Sequence, residues 1–153
     1  MSLWGHTVRR RWATVAGLAV FAVLTATLRP EEPPGGVNVT PLDHHWRAFR
    51  AALRGGPRQQ EILLYLLYDV VGNVLLFVPV GVALAGLSRV RHPAWRLLHT
   101  VGLAATLSIT VELVQRLIPG RTSDIDDVIF NTLGALLGAL GLWLYRRRWR
   151  VPA

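Results

Sequence analysis

The charges of this chain avoid four long stretches of sequence, and that distribution constrains the fold more than any other feature. The stretches hold 83 of the 153 residues but only three of the 26 charges; they are segments 12–28, 62–87, 97–118 and 128–145. A soluble domain places charged residues on the exposed side of every amphipathic helix. Apolar segments of this length between charged gaps are typical of helices that cross a bilayer. The sequence therefore predicts an all-α membrane protein with four transmembrane helices, in one domain over residues 1–153.

The basic residues favour one orientation of this bundle in the membrane. All 17 are arginines, and the formal net charge is +8. Four spans place both termini on one side, which carries ten arginines against seven on the other, three of the ten in the short 88–96 loop. The positive-inside rule then predicts a multi-pass protein of the cell membrane with both termini cytoplasmic. The basic excess indicates arginine collars at a membrane surface rather than nucleic-acid binding.

Segment 12–28 has two interpretations. It follows Arg9, Arg10 and Arg11, so a basic start precedes an apolar stretch, as in a cleaved signal peptide. The cleavage site is poor because the bulky Leu24 lies two positions before Ala26. An uncleaved anchor is the preferred interpretation.

The first outer loop, roughly residues 29–61, contains an amphipathic segment. On a helical wheel Trp46, Phe49 and Leu53 share one face, and arginines occupy the adjoining face. This pattern predicts an interfacial helix over 43–54, with its aromatic face toward the membrane. His44 and His45 lack a matching set of metal ligands, so they are expected at the interface as well.

Polar residues within the second predicted span share one helix face. Asn73 follows Asp69 by four residues, and Gly72 lies between them on that face, where it would permit close helix approach. An ionisable residue inside a span is a functional candidate, since it costs roughly 2.5–3.5 kcal/mol at the membrane centre. The alternative is that Asp69 and Asn73 only hydrogen-bond another helix. Pro79 predicts a kink further along the same span.

The third span ends with Glu112, Gln115 and Arg116 on one face. One interpretation is a Glu112–Arg116 pair near the outer end of the span, with Arg116 reaching the interface. The other makes Glu112 a proton acceptor or ligand-binding group in a polar cavity.

Residues 120–127 are the densest polar stretch beside a span. Ser123 and Asp126 have the spacing of a capping box, so helix capping is one role for Asp124 and Asp126. A carboxylate magnesium site including Asp127 is a weaker alternative. No metal and no cofactor is predicted, and without cysteine the chain has no disulfides, thiol catalysis or cysteine-ligated metals.

A stripe of small and polar residues begins at Asp127. It continues through Asn131, Gly134 and Gly138, at spacings of four, three and four. The two glycines form a GxxxG motif, which predicts contact with span three or, through Gly72, with span two. Asp127 and Asn131 need protein partners rather than lipid.

Three pieces of sequence together resemble the VanZ-like family of small bacterial membrane proteins. They are Asn38-Val-Thr-Pro41-Leu42, then Asn73 to Gly81, then Glu112-Leu-Val-Gln115 followed by Arg121 to Gly134. The resemblance covers about residues 12–145. The last piece is the most specific, and phenylalanine often stands in the family at the positions of Leu42 and Ser123.

The resemblance implies a four-span envelope protein, and the family's namesake lowers susceptibility to the glycopeptide antibiotic teicoplanin. The family's motif residues fall largely on positions already chosen by helix spacing. They are Asn73, Pro79, Gly81, Glu112, Gln115, Arg121, Asp124, Asp127, Asn131 and Gly134.

Three functions follow for this bilayer-embedded chain. The first is binding of a lipid-linked head group or a glycopeptide in an outward polar pocket lined by Glu112, Gln115, Arg121, Asp127 and Asn131. The second is an enzyme acting on a lipid-linked envelope precursor, with Glu112 or Asp127 as general base, although no histidine lies near the cluster in sequence. The third is a structural subunit whose polar residues only hold the helices together.

Overall fold

A computed structural model describes residues 3–28 and 36–149, and the described chain is mostly helical. Its elements are, in order, α1 Leu3–Thr27, β1 Val37–Asn38, α2 Asp43–Leu53, α3 Gln59–Leu87, α4 Pro93–Gln115, β2 Ser123–Asp124 and α5 Ile125–Trp149.

Helices α3, α4 and α5 are each long and apolar enough to cross a membrane, with mean hydropathies of 2.2, 1.6 and 1.7. They contain the second, third and fourth predicted spans, so the chain is a membrane protein with at least these three candidate spans. Helix α4 ends at Gln115 rather than at Ile118, because the chain tightens there: Ile118 N–H donates to the Gln115 carbonyl. In the described part of the chain no other helix combines this length with this apolar composition, and α1 falls short because it contains Arg9, Arg10 and Arg11.

Glycines set the close contact between α3 and α5. A methyl group added to Gly134 would collide with the carbonyl oxygen of Val74, and one added to Gly138 with that of Val78. From the other side, Gly81 lies against the backbone of Ala135. The GxxxG motif therefore packs on the second predicted span, because only residues without a side chain let the two backbones approach this closely.

Gly72 and Pro79 of the second predicted span lie outside this packing. A methyl group added to Gly72 would meet nothing within 4 Å, so the prediction that Gly72 contacts α5 was wrong. Pro79 is exposed on the outer side of α3, and the helix continues through it. Helix periodicity places residues on a common face but does not say which face a neighbour covers.

Helix α1 packs in the same bundle. Its Ala19 and Val23 are buried in one core cluster with Phe77, Val80 and Ala104. At the other end of the contact, the Trp12 ring covers Gly86 of α3.

A short parallel bridge, absent from the all-α prediction, ties the first loop to the α4–α5 connection. Val37 pairs with Ser123 and Asn38 with Asp124, and Ser123 N–H donates to the Gly36 carbonyl at 3.0 Å. Such a two-residue pair has no periodic pattern in sequence, because it depends on segments more than 80 residues apart.

The predicted helix in the first loop is confirmed as α2, but its buried side differs from the expectation for the histidines. His45 and Ala52 are buried, while Trp46, Phe49 and Leu53 are exposed. Trp46 and Phe49 stack at 5.9 Å between ring centroids. His45 therefore faces the protein rather than the interface.

Candidate functional site

A polar cleft of about 760 Å³ opens between α2, α3 and the α4–α5 connection. It combines apolar and polar walls, and Tyr65 and Tyr68 supply aromatic surface. The other polar and charged residues that line it are Thr27, Asn38, His44, Arg47, Asp69, Asn73, Arg121, Thr122, Asp124 and Asp127. Helix ends bring these residues together, because α3 begins and α5 begins on the same side of the bundle.

Asp126 anchors the first loop to α5. Its carboxylate accepts the Leu42 N–H at 2.6 Å and the other oxygen lies 2.7 Å from His45 Nδ1. The side chain is fully buried. Leu42 has a φ of 60°, a left-handed conformation that costs energy for a side chain of this size. The two bonds to Asp126 hold this turn in place and offset the desolvation of the carboxylate.

His45 bridges α2 to both neighbouring helices. Its Nε2 lies 2.8 Å from Asp69 Oδ2, so each ring nitrogen meets a carboxylate. Only the protonated imidazole carries a hydrogen on both nitrogens. Burial by itself lowers the pKa of His45, but hydrogen bonds and charge from Asp126 and Asp69 outweigh it, so the pKa is raised. The geometry thus favours an imidazolium clamped between two carboxylates.

Asp124 has a capping role at the start of α5. Its Oδ1 accepts the Asp126 N–H at 2.9 Å and the Asn38 amide at 2.8 Å. Its own N–H donates to Glu112 Oε2 at 2.7 Å. The predicted capping is therefore carried by Asp124, whereas Asp126 acts between elements. Glu112 is buried beneath the cleft and is not on its wall.

Asp127 and Asn73 join the two closely packed helices at the cleft. The Asn73 amide donates to Asp127 Oδ1 at 2.7 Å. Both side chains line the cleft, so the pair is partly structural and partly accessible to a ligand. Asp69, on the same face of α3 as predicted, is about a quarter exposed there.

Arg121 supplies positive charge to the cleft wall. It lies near enough to Glu112 and Asp127 to interact electrostatically with both. The predicted cluster of Glu112, Arg121, Asp127 and Asn131 is therefore only partly assembled. Asn131 lies deeper, where its amide donates to Ser108 Oγ at 2.9 Å.

Two further predictions about α4 are corrected by the contacts. Gln115 does not line the cleft; its amide donates to the Thr27 carbonyl at 3.0 Å and so ties α4 to the end of α1. The ion pairs among the described residues do not include Glu112–Arg116. Arg116 Nε instead donates to Ser123 Oγ at 3.3 Å, because the chain turns back over the end of α4.

The three aspartates of the α4–α5 connection do not converge on one point. Asp124, Asp126 and Asp127 contact Asn38, His45 and Asn73 respectively. Within residues 3–28 and 36–149 no group of His, Asp and Glu is arranged to hold a metal ion.

Sequence reasoning missed His45 and Asp126 as a pair. Eighty-one residues separate them, and no local motif joins them. The sequence offered only weak signals for this pair. His45 lies in the predicted amphipathic helix, and Asp126 stands between two other aspartates in the motif that resembles the family.

Comparison with known proteins identifies the family. The family model described as VanZ/LLP1 matches residues 12–146, which is most of the chain. Protein VanZ of Enterococcus faecium is 35% identical over 77 residues, covering 50% of this chain and 44% of that protein. The matched part thus spans less than half the length of this curated relative. No solved structure matches significantly. The family match extends from α1 into the end of α5 and includes every residue of the cleft, and the chain belongs to the VanZ/LLP1 family.

Proposed function

We propose that this membrane protein binds the polar head group of a cell-envelope component, either a lipid-linked precursor or a glycopeptide, in the cleft. The observation that carries the proposal is the cleft itself. It is large, it lies where membrane helices end, and it is lined by charges of both signs beside aromatic and apolar walls. Such a lining suits an amphiphile with a polar head and an apolar body.

The chemistry of the wall supports recognition of a head group. Arg121 is suited to a phosphate or carboxylate, since guanidinium forms strong charge-assisted bonds with both. Asp69 and Asp127 each keep a second carboxylate oxygen as acceptor for hydroxyl or amine groups. Tyr65 and Tyr68 offer exposed rings on which a sugar or aromatic group can pack.

Family membership supports a link to glycopeptide resistance. The curated relative is named Protein VanZ, and the namesake of the family lowers susceptibility to teicoplanin. The alignment covers less than half of that relative, so the link between this chain and glycopeptide resistance is part of the proposal.

The contacts favour binding over the catalytic alternative. Glu112 accepts a backbone N–H below the cleft wall, which suits a structural anchor. His45 engages carboxylates through both nitrogens, so neither nitrogen is left to take a proton from a substrate.

We further propose that α1 is a fourth span and that the cleft faces outward. The charge-free part of α1, residues 12–27, is about 24 Å long, at the short end for a membrane span, and α1 packs against α3 within the core. Arg146 lies over the Trp12 ring, so the arginine-rich ends of α1 and α5 share one end of the bundle. The positive-inside rule places that end in the cytoplasm and α2 on the outer membrane surface.

The test is teicoplanin susceptibility of a susceptible Gram-positive host that expresses the protein. Arg121→Gln and Asp127→Asn remove charge from the cleft with little change in shape. Arg148→Gln removes an exposed charge at the opposite end and is the matched control.

The wild type and the control are expected to raise the inhibitory concentration of teicoplanin, and the cleft variants to lose most of that increase at equal membrane abundance. A loss that follows protein abundance alone would favour the structural alternative. An unchanged phenotype in both cleft variants would contradict binding in the cleft.

A further inference from the structure

A second cavity lies at the opposite end of the bundle from the cleft. It has a volume of about 280 Å³ and is walled by apolar residues of α3, α4 and α5, among them Ala85, Leu97, Leu140 and Trp143. Its walls carry almost no polar surface. In a chain that crosses a membrane, a cavity of this kind at a helix end meets the acyl chains of the bilayer.

Two arginines lie near this cavity. Arg96 is one of its lining residues, and Arg146, one helix turn beyond the lining residue Trp143, is near enough to Arg96 for the two guanidinium groups to repel each other. Both are half-buried. Among the described residues, neither forms an ion pair with a carboxylate.

Local contacts restrain both arginines. Arg96 Nε donates to the Val90 carbonyl at 2.8 Å, which uses one of its five donors. Arg146 lies 5.7 Å from the centre of the Trp12 ring. Helix α4 also begins here, at Pro93, with no acidic residue in its first turn, so the positive end of its dipole adds to the field.

We propose that this cavity binds an anionic phospholipid, with one acyl chain against the apolar walls and the phosphate between Arg96 and Arg146. A phosphate would relieve the repulsion between the guanidinium groups and take up their remaining donors. Basic pockets between membrane helices bind anionic head groups in this way. The site is separate from the cleft and does not depend on what the cleft binds.

The experiment measures which lipids the purified protein retains, by native mass spectrometry from mixed micelles of phosphatidylglycerol and phosphatidylcholine with matched chains. The wild type is expected to retain one phosphatidylglycerol with a preference of about 30-fold, as two arginines at a membrane surface would give. The Arg96→Gln/Arg146→Gln double variant is expected to retain the two lipids almost equally.

Two controls separate a built site from general surface charge. Arg9→Gln/Arg148→Gln removes the same charge from exposed positions and is expected to keep the preference. Ala94→Trp narrows the cavity from an exposed position on its wall and is expected to weaken retention while both arginines remain. Glycerol phosphate, which has no acyl chain, is expected not to compete.

Equal retention of both lipids by the wild type would overturn the proposal. So would an equal loss of preference in the Arg9/Arg148 control, or competition by glycerol phosphate with no effect of Ala94→Trp. Circular dichroism of each variant verifies that the helices are intact.

Discussion

The described residues at one end of this helical bundle carry only basic charges, whereas those at the cleft end carry both signs, and the two ends satisfy their charges in different ways. At the cleft end, carboxylates such as Asp126 and Asp127 each have a protein partner within 2.7 Å. At the arginine end, Arg146 and Arg147 lie over tryptophan rings, and neither has a carboxylate partner among the described residues.

The difference follows from what surrounds each charge. An arginine at a membrane surface reaches water and phosphate through its long side chain, so the protein need not supply a partner. A short aspartate at the end of a membrane helix has no such reach, and the cost of desolvation requires a partner within the protein. We therefore propose that the arginine end serves orientation and lipid contact, and that the carboxylates of the cleft end build a defined site.

The largest effect is expected from Asp126→Ala. The substitution leaves the Leu42 N–H and His45 Nδ1 without their buried acceptor. We expect a loss of about 3–5 kcal/mol of unfolding free energy, as for other broken buried charge pairs. The measurement is unfolding in detergent micelles, with Arg148→Ala as the exposed control at the other end. A similar loss in both variants would contradict the difference between the ends.

A smaller effect is expected at the close contact between α3 and α5, which runs between the two ends of the bundle. Gly134→Leu forces a side chain into the backbone of α3 at Val74, and overpacking of this kind costs about 1–3 kcal/mol or more. Gly141→Leu is the matched control on the same helix, because a methyl group there meets nothing within 4 Å. Thermal unfolding of the two variants should differ clearly. Equal melting temperatures would show that this close contact does not stabilise the packing of α3 against α5.

The smallest effect is expected for the pH dependence of the contact between His45 and the carboxylates of Asp69 and Asp126. The pKa of His45 is raised in the folded protein, so its contribution to stability is complete below its unfolded pKa and is lost as pH rises through the folded pKa. The protection factors of the α2 amides, which correct exchange rates for base catalysis, should therefore fall above about pH 6.5. His45→Gln should remove this dependence, and an unchanged profile in that variant would assign it to another group.

Sequence patterns predicted the helices and the helix face that carries the polar residues of α3. The charge-poor segments located α3, α4 and α5, and the spacing of Asp69 with Asn73 placed both on one helix face, which lines the cleft. The GxxxG motif predicted a close contact with span two or span three, and the structure has this contact with the second span, at Val74 and Val78 rather than at Gly72.

The remaining features depend on contacts between distant segments. His45 meets Asp126 only because the first loop folds across the start of α5, and nothing near either residue encodes that path. Gly72 shares a face with Asp69, but it lines the open cleft, where an added methyl group would meet nothing within 4 Å. Glu112 and Asn131 were predicted to line the polar pocket, whereas in the structure they bond to Asp124 and Ser108.

The most direct test of the outward-facing cleft uses the absence of cysteine from the chain. Thr122→Cys introduces one thiol at an exposed position of the cleft wall, and Arg89→Cys introduces one at the arginine end. In intact cells, a membrane-impermeant maleimide should label Thr122→Cys, and should label Arg89→Cys only after the membrane is permeabilised. Labelling of Arg89→Cys in intact cells, with Thr122→Cys protected until permeabilisation, would contradict an outward-facing cleft.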